Sequence, residues 1–139
     1  MSPEETVARS RLALAVPLAA ALGAELRDPA DPSAGVRVTV AGLAGNGAGG
    51  AHAAALTAVL ELAAYLALLP ALQPDEHAVS HALTVQLPAA APEGGLVEAV
   101  GQLDRRGRRL AFLSATAEVS GTLVARAQIT KSIVPLPGG

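Results

Sequence analysis

Three observations predict an α+β fold for this 139-residue chain, with one long buried helix enclosed by an antiparallel sheet. Residues 53–72 form an apolar run, AAALTAVLELAAYLALLPAL, in which Glu61 is the single charge. Four strand-like segments between residues 79 and 134 follow it, joined by short turns and without a further helical pattern. Short turns imply antiparallel neighbours, and a helix apolar on all sides belongs in a core. The two together give a two-layer domain in which a long sheet curls around a central helix. The length and the 51% hydrophobic content fit one domain over residues 1–139. Aromatic residues make up only 1%, so the core rests on Ala, Leu and Val, and oligomerisation is expected to add burial.

The elements follow in order. Residues 3–22 have helical composition, with Pro3 at an early helical position and Pro17 expected to kink or split the segment. DPADPSAG, residues 28–35, is a turn. Val36, Val38 and Val40 alternate with Arg37 and Thr39 as a half-buried strand, with AELRD just before the turn as its hairpin partner. Residues 42–50 carry Gly42, Gly45, Gly47, Gly49 and Gly50, a segment that bends sharply and exposes backbone amides. The helix is expected over residues 51–69, ended by Pro70. Strands are expected at 79–87, 96–103, 108–119 and 123–134, with a tight DRRG hairpin at 104–107 and an SGT turn before the last strand. Simple alternation puts Val79, His81 and Leu83 on one face, making His81 a core histidine.

Composition excludes several functions. The net charge is −2, with both signs dispersed and no basic stripe with interleaved aromatics, so no nucleic-acid partner is expected. Without cysteine there is no disulfide, thiolate metal site or cysteine nucleophile. His52, His77 and His81 lack ligand spacing, and no metal is expected. The N-terminus opens acidic where a secretory signal opens basic. Residues 53–72 approach the length of a membrane span, but Glu61 lies at their midpoint and strands follow. A cytoplasmic protein without a membrane partner is expected.

Glu61 is the candidate catalytic group. A lone carboxylate in an apolar helix must face water, find a partner or stay protonated. It reads either as a general base or nucleophile, or as a structural carboxylate held by a hydroxyl. Asn46 and His52, in NGAGGAH just upstream, read as substrate-orienting groups or as a turn former and a helix cap. Nine residues rotate Glu61 about 180° from His52 and raise it more than two turns, so the two do not readily meet within one chain.

These residues, taken together, resemble the hotdog-fold acyl-CoA thioesterases, in particular the phenylacetic-acid-pathway (PaaI-like) group. That family has an Asn, a Gly-rich turn, then His-Gly-Gly opening the central helix, with an acid nine residues after the His. Here Asn46 stands six residues before His52, and Glu61 nine after it. Ser80 matches a Ser or Thr early in the next strand, and GRRLAF (107–112) and GTLVARAQITK (121–131) match later strands. The match spans about residues 20–134. The departure is Ala53-Ala54 in place of Gly-Gly.

The resemblance implies a hotdog fold and hydrolysis of an acyl-CoA to free acid and CoA, with no cofactor beyond the coenzyme A of the substrate. It implies Glu61 as base or nucleophile, with Asn46, His52 and Ser80 beside it. The amides of Ala53 and Ala54 would form the oxyanion hole, and Arg108, Arg109 and Lys131 would contact the phosphates of CoA. It also implies a homodimer, as a dimer of dimers, with the helix start of one subunit facing the carboxylate of the other. The alternative is a hotdog protein that binds an acyl or CoA-ester ligand without turnover.

Overall fold

The computed structural model describes residues 1–138. Helix α1 spans Pro3–Ala15 and α2 spans Pro17–Leu22. Pro17 splits them as expected, since its ring removes a helical hydrogen bond. A capping box starts α1: the Glu5 amide donates to Ser2 Oγ (3.2 Å) and the Ser2 amide to Glu5 Oε2 (2.7 Å). The strands are β1 (Glu25–Leu26), β2 (Val36–Thr39), β3 (Glu76–Gln86), β4 (Leu96–Arg106), β5 (Leu110–Val119) and β6 (Thr122–Pro135). They form one antiparallel sheet in the order β1-β2-β4-β5-β6-β3.

Helix α3, Ala53–Leu68, lies across this sheet and ends in a 3-10 turn at Leu69–Ala71 around Pro70. Leu60, Ala64, Leu66, Leu68 and Leu69 are fully buried. Residues Ala53–Ala71 are long and apolar enough to cross a membrane by length and composition, but here they are the core helix. Contact is closest at Gly101 of β4, where an added Cβ would sit 2.8 Å from Ala64 Cα. Only glycine lets the helix backbone lie against the sheet there.

Two strand expectations change. β4 runs on to Arg106, with a register shift between Leu103 and Arg105, so the turn falls at 107–109 and not at the predicted DRRG. The Gly107 amide donates to Leu110 O (2.7 Å), and Arg108 and Arg109 lie in the turn before β5. In β3 a bulge between Ser80 and Ala82 reverses the parity of the strand. Ala78 and Ser80 precede it opposite Ile133 and Lys131, and Leu83 and Val85 follow it opposite Ile129 and Ala127. His81 is the extra residue. It is exposed and pairs with Ser132 Oγ at 2.6 Å, not in the core as alternation implied.

The N-terminal helices dock over α3 near the start of β3. Arg9 donates to the carbonyls of Glu76 (3.0 Å) and Pro74 (3.1 Å). The Met1 ammonium donates to Leu72 O (2.8 Å).

Candidate active site

Glu61, Ser80 and Lys131 meet from three elements. Lys131 occupies a core-facing position of β6, paired with Ser80 of β3 and Ala111 of β5. Its side chain is 3% exposed, and a buried ammonium must find partners. Lys131 Nζ donates to Ser80 Oγ (2.7 Å), stands 3.7 Å from Glu61 Oε1, and lies 5.6 Å from the centre of the Tyr65 ring. Burial pushes the Lys131 pKa down, and the Glu61 carboxylate works against that shift. Glu61 itself retains 42% side-chain exposure. Its carboxylate is paired yet still reachable.

Tyr65, one helical turn after Glu61, shares its face of α3. Its hydroxyl lies 3.4 Å from His77 Nδ1, and the two rings meet edge to face at 5.7 Å. The His77 pKa is held down by burial first, then by the charges of Arg9 and Lys131. Tyr65 and His77 had no assigned role in the sequence reading. The i,i+4 spacing from Glu61 was the available signal for Tyr65; His77 had none.

A cavity of about 470 Å³ opens beside this cluster. Glu61, Tyr65, His77 and Lys131 form a polar patch in its wall. Arg9 of α1 adds a further charge, and the rest is apolar, mainly from α1, α2, the 58–65 face of α3 and the C-terminal Leu136 and Pro137.

The other predicted site residues lie at the start of α3. Asn46 Oδ1 accepts from the amides of Ala48 (2.7 Å) and Gly50 (3.1 Å) and holds the glycine turn. Gly47 and Gly49 take positive φ of 76° and 88°, which explains the glycines upstream of the helix. His52 is the N-cap, its Nδ1 accepting from the Ala54 amide at 3.0 Å. The Ala54 N–H is therefore occupied and is not the free oxyanion donor expected of it. The Ala53 amide has no hydrogen-bond partner among the described residues, and Ala53 is exposed. Both alanines sit within α3 at ordinary helical geometry, so their replacement of Gly-Gly introduces no backbone strain.

The predicted site residues therefore fall into two groups. Glu61, Ser80 and Lys131 lie together, and Asn46, His52 and Ala53 lie at the helix N-terminus, about 13 Å away at 1.5 Å per residue. The expected phosphate-contacting set also divides. Arg108 and Arg109 are exposed around a shallow depression that also includes Arg105 and Phe112. Lys131 is inside, because its odd-numbered position on β6 faces the helix.

Solved structures with the same architecture include three informative ones. A thioesterase from Haemophilus influenzae aligns over 93% of this chain and 90% of its own, with TM-score 0.80 and 16% identity. A phenylacetic acid degradation-related protein from Ralstonia eutropha aligns over 88% and 97%, with TM-score 0.74 and 24% identity. A Bacillus halodurans protein crystallised with CoA aligns over 95% and 92%, with TM-score 0.76 and 17% identity. These likenesses establish the hotdog fold. No curated protein matches the chain. The sequence profile of the family FlK, fluoroacetyl-CoA-specific thioesterase, matches residues 33–136. Three-quarters of the chain is thus accounted for, and the protein belongs to that family of hotdog-fold thioester hydrolases.

Proposed function

We propose that the protein hydrolyses an acyl-CoA with Glu61 as the reacting carboxylate. The observation that carries this is a partly exposed glutamate in the middle of the core helix, beside a buried lysine and at the wall of an apolar cavity. Glu61 takes a proton from water, and the water oxygen adds to the thioester carbonyl. Collapse of the tetrahedral adduct breaks the C–S bond, and the CoA sulfur recovers the proton. Lys131 places a positive charge beside the carboxylate, and Ser80, accepting from Lys131, has its own O–H free to orient water or the thioester oxygen. The second route, direct attack by Glu61 through an anhydride, differs in one observable. Turnover in ¹⁸O-water would then put label into the Glu61 carboxylate, and the base route would leave that peptide unlabelled.

The oxyanion is stabilised by the Ala53 amide at a positive helix end, supplied by a second copy of the chain together with Asn46 and His52. The bulged edge strand β3 supports such a homodimer. It exposes Val79 (44%) and Leu83 (41%) next to unpaired backbone groups. Arg108 and Arg109, joined by Arg105, are the proposed contacts to the CoA phosphates.

Two measurements test the shared site. Light scattering in solution should give a dimer or a dimer of dimers, and a monomer at working concentration refutes the arrangement. Mixing refolded Glu61→Gln and Asn46→Ala subunits should restore about a quarter of native activity, because half the dimers are mixed and each has one intact site. No recovery would place both residues in the same subunit's site, and a fully active Asn46→Ala protein would remove Asn46 from it.

A further inference from the structure

We infer that the cavity beside Glu61 receives the tail of an unbranched aliphatic acyl group well beyond two carbons, so that the preferred thioester is a medium- or longer-chain acyl-CoA. The inference rests on the reading of Glu61 as the hydrolytic carboxylate and names the substrate class of that site.

Size is the first argument. A two-carbon acyl group displaces the volume of roughly two or three waters, at about 30 Å³ each. The cavity holds about 470 Å³, a volume in the range of small-molecule pockets, and an acetyl-sized group would leave most of it unfilled.

Chemistry is the second. Away from the Glu61 patch the walls are side chains such as Leu12, Val16, Leu18 and Leu22 from the N-terminal helices and Ala58 and Leu62 from α3. Among the described residues no buried side-chain polar atom lacks a hydrogen-bond partner. Leu12, Val16 and Leu18 are 69%, 52% and 53% exposed, apolar surface that an alkyl chain would cover. Tyr65 is the one aromatic ring in the wall besides His77, and it already contacts His77 and Lys131. An aryl group finds no free ring to stack on.

Position is the third. The N-terminal walls, residues 9–24, lie outside the 33–136 segment that the family profile matches. The small acyl group named in the family description therefore does not describe this part of the pocket. With the thioester carbonyl at Glu61, the tail points between α1–α2 and α3.

The test is a series of acetyl-, butanoyl-, octanoyl-, decanoyl- and phenylacetyl-CoA assayed for CoA release by the full-length protein. Each buried methylene contributes about four-fold. The octanoyl or decanoyl ester should therefore exceed acetyl-CoA in kcat/KM by at least about a hundred-fold, and should also exceed phenylacetyl-CoA. A preference for acetyl- or phenylacetyl-CoA overturns the inference and leaves the thioesterase reading standing. Calorimetric binding of octanoyl- and acetyl-CoA to the Glu61→Gln protein separates the two failures. If no ester is hydrolysed by the native protein, the catalytic reading falls, and the binding ratio still decides the cavity: tighter octanoyl-CoA binding supports it and equal binding overturns it. Ala13→Phe, placed in the cavity wall, should lower the octanoyl-to-acetyl ratio at least ten-fold, and an unchanged ratio in a folded variant overturns the assignment.

Discussion

Glu76 and Glu61 each meet a cation near α3, and the two pairs differ in geometry. Arg106 and Glu76 form a bidentate pair, Nη1 to Oε2 and Nη2 to Oε1, both at 2.8 Å. Arg106 also donates to the Ala71 carbonyl, and Glu76 Oε2 accepts from the Gln73 amide at 2.8 Å. The pair thus ties the end of α3 to β3 and β4, strands that are not neighbours in the sheet. Glu61 and Lys131 make one contact at 3.7 Å, with the lysine buried and the carboxylate half in the cavity. A bidentate pair with further backbone bonds fixes structure. A loose pair beside a cavity leaves a carboxylate oxygen for a reaction.

The largest effect that would sharpen this contrast is at Glu61. Glu61→Gln should lower kcat by about 10²–10⁴-fold with little change in Tm, because the group is partly exposed. A variant retaining native kcat would remove Glu61 from the reaction. Next comes Arg106→Met, which strands Glu76 and should cost about 1–2 kcal/mol in urea unfolding, leaving kcat of the folded fraction near native. If kcat fell and stability held, the roles of the two pairs would be exchanged.

Lys131→Met should lower kcat about ten-fold by withdrawing the charge beside Glu61, with Tm unchanged or raised, since an apolar side chain escapes the cost of burying an ammonium. Lys131 has a lowered pKa when folded, so the unfolded chain holds that proton more tightly. Native stability should then gain with rising pH below the ordinary lysine value of 10.5, and Lys131→Met should lose that gain. The smallest effect is in acid. The hydrogen bonds from Arg106 hold Glu76 below its ordinary 4.5, so its stabilisation is present above that value and lost as pH falls through the folded-state pKa. Arg106→Met should flatten that part of the pH–stability curve, measured by urea midpoint.

Much of this contrast was legible only on one side. Glu61 is conspicuous because nothing near it in sequence is charged, and its role as a candidate followed from that isolation. Glu76 and Arg106 look like ordinary loop and hairpin charges, and the DRRG reading even placed Arg106 in a turn. The pairing joins residues thirty apart, and no local pattern records it. Lys131 shows the same limit: its alternation was readable, but which face of β6 meets α3 was not. His81 failed through a bulge that one inserted residue creates.

The sequence alone determined the element order, the buried helix and its lone acid, the Pro17 break and the glycine-rich turn before that helix, because each follows from local periodicity and backbone chemistry. Tertiary structure decided the rest: the Lys131–Ser80–Glu61 cluster, the capture of the Ala54 amide by the His52 ring, and the cavity roofed by α1 and α2. Those features depend on which faces pack together across the sheet. Burial and the satisfaction of buried polar groups select that packing only once the whole chain has folded.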